Sequence, residues 1–211
     1  MSIQKIKQEI NQDWLVTNES QCIPFTVVSQ DFYENLQPYR LYRFLTDVED
    51  IIWEEQDDRI RLEKICPLVR RLLNSSEWLT TFGLPDRETG WSVQMLYDEP
   101  DFALTVQTVA WLPQNISPIH NHATWGIVAI IDGEEKNTFW QRSPSFKFPD
   151  CIEKVGEQIF RAGDILCLMP DAIHHIEAIG KEPTISFNIY GITDYSQRLE
   201  FDLDLMSRRN F

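Results

Sequence analysis

Beyond Gly90 the chain breaks into short runs rich in β-branched and aromatic residues, at 91–96, 102–112, 125–131, 138–142, 158–161, 164–169 and 184–190. Turn-forming sequences separate them: Asp98-Glu99-Pro100, Asp132-Gly133-Glu134, Arg161-Ala162-Gly163 and Gly180-Lys181-Glu182-Pro183. Strands this short bury little alone, and strands spaced this evenly predict a small antiparallel barrel. Upstream the period changes. Leu62, Ile65, Val69 and Leu72 recur at three and four residues with Arg61, Lys64, Arg70 and Arg71 between them, so the stretch 31–79 reads as amphipathic helix. Pro67 predicts a kink or a new helix start, and Gly83-Leu84-Pro85 closes the region with turn chemistry. The expected organisation is a helical region over 1–88 packing on a barrel over 89–211, one compact domain overall. A chain of 211 residues with 43% hydrophobic content can fill one such core. The first thirty residues carry no motif we can interpret, and the polar, acidic last twenty leave their structure open.

The formal charge of −14 sets the sequence against nucleic acid or an anionic membrane surface as partner, since either would be repelled at long range. The N-terminus lacks an apolar run of signal-peptide length, and no window approaches the ~20 apolar residues of a spanning helix. A soluble, cytoplasmic protein is expected. Cys22, Cys66, Cys151 and Cys167 are scattered without a CxxC pair, which predicts free and mostly buried thiols.

All four histidines fall in two clusters, Ile119-His120-Asn121-His122 and Ile173-His174-His175-Ile176. Residues i and i+2 of a strand share a face, so His120 and His122 can present two imidazoles into the barrel, and His174 or His175 can add a third from another strand. Three neutral nitrogens with open positions suit a labile first-row metal such as Fe(II), Zn(II), Mn(II) or Ni(II). Ser186, Asn188 and Tyr190 alternate with Ile185, Phe187 and Ile189, so the polar face of that strand should line the same pocket. Trp111, Trp125, Trp140 and Phe139 read first as barrel-wall aromatics, with Trp125 placed to shape the pocket. Tyr97 and Glu177 are candidates for supporting hydrogen bonds.

The order Gly163, Pro170, His174, flanked by hydrophobic strands, resembles the cupin double-stranded β-helix, which implies a mainly β barrel with an N-terminal α-helical layer. Most cupins add a glutamate shortly after the His-x-His pair. Here the chain runs Ala123-Thr124-Trp125-Gly126-Ile127 with no carboxylate, so three histidines are expected to hold the metal. A more specific likeness lies in Trp111, Pro118-Ile119-His120-Asn121-His122, Thr124-Trp125-Gly126, Asp132-Gly133, Ile173-His174-His175-Ile176-Glu177 and Ser186-Phe187-Asn188-Ile189-Tyr190-Gly191. Over about residues 60–205 this set resembles the cysteine dioxygenase family of thiol dioxygenases. The resemblance implies Fe(II) on His120, His122 and His174, with zinc or nickel as substitutes in purified protein. Spacing from Gly163 agrees with His174, and spacing from Pro170 favours His175. Counting back from Trp111 places Gln94 where the glutamine-type members, similar to 3-mercaptopropionate dioxygenases, hold the substrate carboxylate. Arg198 matches their downstream arginine. Gly126 stands where animal members carry a cysteine crosslinked to the tyrosine, so no thioether cofactor is expected.

The resemblance thus implies a small thiol carboxylate and O2 as substrates and a sulfinate as product. Gln94, Arg198 and Trp125 would bind the substrate, and Tyr190 would act from an array with Ser186 and Asn188. The family normally has histidine where this chain has Asn188, and asparagine cannot exchange a proton near neutral pH. That departure keeps two other readings open: a metal cupin with another reaction, such as dioxygenolytic C–C cleavage or hydrolysis, and a ligand-binding cupin without turnover. Oligomeric state is not legible.

Overall fold

The computed structural model describes residues 11–26, 38–76, 79, 83–100, 102 and 104–210. Two sheets pack face to face. In spatial order the first contains β2 (Cys22–Pro24), β1 (Asp13–Val16), β9 (Ile165–Leu168), β6 (Gly126–Asp132), β11 (Thr184–Tyr190), β4 (Thr105–Trp111) and β3 (Trp91–Asp98). The second contains β13 (Ser207–Asn210), β12 (Leu199–Asp202), β5 (Ile119–His120), β10 (Ile173–Ile179), β7 (Glu134–Arg142) and β8 (Ile152–Arg161). Strands distant in sequence lie side by side, as β4 with β11 and β7 with β10, and every pairing is antiparallel except β1 with β9. This is the mainly β, cupin-type barrel that the sequence predicts.

Alternation along β6 shows why its sequence is apolar almost throughout. Ile127 and Ala129 point outward into a core shared with Phe44, Val48, Leu62, Ile65 and Leu72 of the helices α1 (Leu41–Glu54) and α2 (Asp58–Ser75). Val128 and Ile130 point inward and meet Phe139 and Phe160 of the second sheet. β6, at the centre of the first sheet, is therefore buried on both faces, and a strand so placed needs apolar residues at both parities. Phe187 of β11 meets Phe44 of α1 edge to face, with ring centroids 5.8 Å apart, so the helical layer is keyed into the barrel. The Asp57 carboxylate accepts from the Ile60 N–H (3.0 Å), capping α2. Arg70 of α2 pairs with Asp13 and donates to the Gly163 carbonyl, tying the helix to β1 and to the turn before β9.

Several expectations are corrected. Residues 1–88 are not solely helical, because β1 and β2 extend the first sheet. Pro67 lies within α2 and does not start a new helix. The polar C-terminal stretch forms β12 and β13, and β12 pairs with β5, beside the histidines. The part of the expected helix at 31–37 falls outside the described residues. All four cysteines are free, Cys66 and Cys167 fully buried. Among the described residues no helix is long and apolar enough to cross a membrane.

Candidate metal centre

Strand pairing sets His174 of β10 directly opposite His120 of β5. β5 ends at His120, so strand alternation places that residue alone. His122 is carried by the segment just beyond, before Ala123 turns the chain in the left-handed region (φ 53°). The three rings nonetheless converge, with centroids 4.8–5.3 Å apart and one ligand atom from each residue within 4.8 Å of the others. His122 Nε2 and His174 Nε2 are 3.1 Å apart. Two nitrogens bound to one ion at ~2.1 Å sit roughly 3.0–3.4 Å from each other, so the His122–His174 pair has the spacing of two ligands on a single first-row metal, with a His120 nitrogen close by. His175 is turned to the other face of β10, where Trp140 Nε1–H donates to its Nδ1 (2.9 Å). The structure thus selects His174 over His175 as the third member of the group.

Hydrogen bonds to the far ring nitrogens aim these side chains. His120 Nδ1–H donates to the Pro118 carbonyl (2.9 Å), and His174 Nδ1–H donates to Asn137 Oδ1 (2.7 Å), leaving both Nε2 atoms for the ion. Asn137 in turn donates through Nδ2 to Glu135 Oε1 (2.9 Å), and both residues are buried. Burial lowers the pKa of all three histidines, that of His120 to about 4. Neighbouring imidazoles add to the effect at His122 and His174, and the Arg198 charge adds at His120 and His122. The rings are neutral at pH 7, the form a metal needs. Burial pushes the Glu135 carboxyl up to about 7 against the opposing bond from Asn137.

Asn121, between two of the histidines and 1% exposed, fastens this segment to the start of β12. Its Oδ1 accepts from the Leu199 N–H (2.7 Å), its Nδ2 donates to the Gln197 carbonyl (3.1 Å), and its backbone N–H donates to the Leu199 carbonyl (3.2 Å). These bonds grip the chain on both sides of Arg198. Sequence reasoning missed Asn121, Glu135 and Asn137. For the last two a signal existed in the period-2 pattern Glu135-Lys136-Asn137, but the expected strand began only at Thr138.

The histidines open into a cavity of about 680 Å³ whose lining includes Tyr190, Asn188, Ser186, Gln107, Glu135 and Arg198. Tyr190 stacks on His122, with centroids 4.6 Å apart and planes at 22°. A Cβ on Gly126 would lie 2.6 Å from Tyr190 Cδ1, so only glycine lets the ring occupy this place. Burial raises the Tyr190 pKa, with the Arg198 charge acting the other way. Asn188 Oδ1 is buried and has no hydrogen-bond partner among the described residues, so it accepts no bond from the Tyr190 hydroxyl. Gln94 and Trp125 do not line the cavity. Gln94 lies out of phase with Val93 and Met95, which do, and Trp125 is buried in the core under the helices. Gln107 of β4 presents a carboxamide to the cavity instead. The Tyr97 hydroxyl donates to Glu99, and Glu177 pairs with Lys136, so neither supports the centre.

No family model matches the sequence. Among solved structures the chain is similar to oxalate oxidase in complex with the substrate analogue glycolate, at 18% identity over 57% of this chain and 60% of that one, with a TM-score of 0.41. The chain thus spans less than two thirds of the oxalate oxidase it matches. The Schizosaccharomyces pombe Cnp3 cupin domain aligns at 14% identity over 55% of this chain and 67% of that one, TM-score 0.41. A cupin superfamily protein from Desulfitobacterium hafniense aligns at 15% over 54% of this chain and 86% of that one, TM-score 0.40.

Proposed function

We propose that the protein is a mononuclear non-heme iron thiol dioxygenase that converts a thiol carboxylate and O2 to the sulfinate. The observation that carries this reading is the convergence of three neutral imidazoles at a cavity also lined by Arg198 and Tyr190. In the overall reaction, R–SH plus O2 gives R–SO2H. Both oxygen atoms end on sulfur, which supplies all four electrons, so no external reductant is required. Fe(II) held by His120, His122 and His174 would supply the redox chemistry that lets dioxygen react with a thiolate, and three neutral ligands leave its 2+ charge to attract that thiolate. Other divalent metals such as zinc or nickel suit the same donors.

The chain's own groups then position the substrate. The Arg198 guanidinium pairs with the carboxylate, and Asn121 holds the backbone on both sides of it. Tyr190, kept protonated by burial, donates a hydrogen bond into the cavity. Fixing thiol and carboxylate together makes the encounter effectively unimolecular. The contact between position 126 and the Tyr190 ring supports the thiol dioxygenase layout, because family members with a crosslink form it between these two places.

The test is oxygen consumption by anaerobically Fe(II)-loaded protein given 3-mercaptopropionate, cysteine, homocysteine and cysteamine, with mass spectrometry of the products. The expected result is a product heavier by two oxygen atoms from at least one thiol acid, with cysteamine, which lacks the carboxylate, the poorest substrate. Stoichiometric iron with no oxygen uptake on any thiol overturns the proposal. The partnerless Asn188 Oδ1 favours a second reading, a metal cupin with another reaction or with ligand binding alone, since Asn188 Oδ1 accepts no bond from Tyr190.

A further inference from the structure

A three-carbon thiol acid would occupy the histidine end of this cavity and leave the rest to water. The volume of about 680 Å³ falls in the ~300–1,000 Å³ range of sites that enclose drug-sized ligands. One wall of the remainder, formed by β3 and β4, is largely apolar, although Asp98, Thr105 and Gln107 of the same strands also line the cavity. β3 is the edge strand of the first sheet, and its alternation turns Trp91, Val93 and Met95 to the cavity, where they are 45%, 41% and 45% exposed. Val109 and Trp111 of β4 continue the wall, and Trp91 stacks on Trp111 with centroids 5.7 Å apart and planes at 24°. Edge strands normally carry charge or proline on exposed positions, because bare apolar edges invite aggregation. Here large apolar side chains sit half open over a concavity continuous with the histidines and Arg198. Paired indoles and a thioether are surfaces that suit an aromatic ring.

We propose that Trp91, Val93, Met95, Val109 and Trp111 form a second subsite for the tail of the substrate, and that the substrate is an amphipathic acid carrying an aromatic or branched apolar group. For the chemistry of the head group this rests on the thiol dioxygenase reading; the tail subsite rests on the wall alone. Head and tail are then read by opposite ends of one cavity, with the anion at Arg198 and the apolar group along β3.

The experiment uses full-length protein loaded with Co(II), whose thiolate-to-metal absorption reports thiol ligation without turnover. The probes are 3-mercaptopropionate, 2-benzyl-3-mercaptopropionate and 3-phenylpropionate, which has the ring and acid without the thiol. The benzyl compound should bind roughly tenfold more tightly than its parent, or better, from burial of the ring. 3-Phenylpropionate should quench tryptophan fluorescence. Val93→Asn and Met95→Gln, both on the exposed side of an edge strand, should each remove most of the gain while leaving affinity for 3-mercaptopropionate unchanged. Equal affinity for the two thiols, or a gain that neither substitution touches, overturns the tail subsite. So does a dimer that Val93→Asn dissociates, because a second copy would then cover the wall. Absence of the thiolate band with both thiols, alongside Val93-dependent binding of 3-phenylpropionate, overturns the thiol head group and upholds the subsite.

Discussion

The two sheets of the barrel hold their residues in place by different means. The first is covered at its centre by helices on one face and by the second sheet on the other, and its central side chains are fixed by packing: Phe187 against Phe44, Ile127 and Ala129 among the helix residues. The second sheet carries on its outer face only a small apolar cluster, Ile119, Trp140, Ile173, Leu199 and Phe201, beside the ion pairs Lys136–Glu177 and Arg161–Glu134. Its inner face carries His120 and His174, and these are aimed by the hydrogen bonds they donate to the Pro118 carbonyl and to Asn137 of the Asn137–Glu135 chain. Stability should therefore reside mainly in the first sheet and its helices, and metal geometry in the polar contacts of the second.

The largest effect expected on this division is at the ligands themselves. His174→Ala should abolish metal retention after dialysis, whereas His175→Ala, one residue along the same strand but facing Trp140, should keep a full equivalent by elemental analysis. Retention in His174→Ala, or loss in His175→Ala, would falsify the ligand assignment. Next comes a packing change in the first sheet. Phe187 is 0% exposed, and Phe187→Ala should cost about 3–5 kcal/mol in denaturant unfolding while leaving metal affinity of the folded protein unchanged. If affinity falls in step with stability, the two sheets do not divide the work.

A smaller effect is expected from the hydrogen bonds in the second sheet. Asn137→Leu removes the acceptor for His174 Nδ1–H and should weaken metal binding by roughly 10–100-fold, read by chelator competition. Its secondary structure should survive, since Asn137 lies in the middle of a paired strand whose backbone bonds are untouched. An unchanged affinity would mean that the strand alone fixes the ring.

How legible these features were in the sequence follows from the same contrast. Packing leaves a periodic trace: β6 and β11 stood out because burial on both faces, or on one, dictates residue type at each parity. The histidine group was legible because four histidines in two clusters leave few alternatives. Polar contacts leave no such trace. Asn121 and Asn137 owe their roles to partners 78 and 37 residues away, which local spacing cannot reveal. Gln94 failed for a geometric reason. An ungapped count back from Trp111 fixes a position but not a facing, and β3 turns Trp91, Val93 and Met95 inward with an irregularity between Met95 and Tyr97. Trp125 failed because Gly126, its neighbour, abuts Tyr190, which leaves the indole to the core under the helices. β1, β2, β12 and β13 are only three or four residues long, too short for an alternation to register as a strand.

The finest test concerns a buried charge in the second sheet. The carboxyl of Glu135 titrates near 7 in the folded chain against an ordinary value of 4.5, so folding favours its protonated form. Its contribution to stability is fully present below about pH 4.5 and is lost as pH rises through about 7. The metal-free histidines act with the opposite sign. With His120 lowered to about 4, and His122 and His174 well below their usual value of 6.5, stability is gained as pH rises toward 6.5. The two slopes oppose each other in one window, and the wild-type curve hides both. Glu135→Gln keeps an acceptor for Asn137 and removes only the titration. Metal-free Glu135→Gln should therefore gain stability relative to wild type as pH rises from about 5 to 7, by at most about 1.4 kcal/mol per pH unit, in paired urea titrations. A difference that stays flat across that range would place Glu135 in contact with water, and the polar chain behind His174 would then extend no further than Asn137.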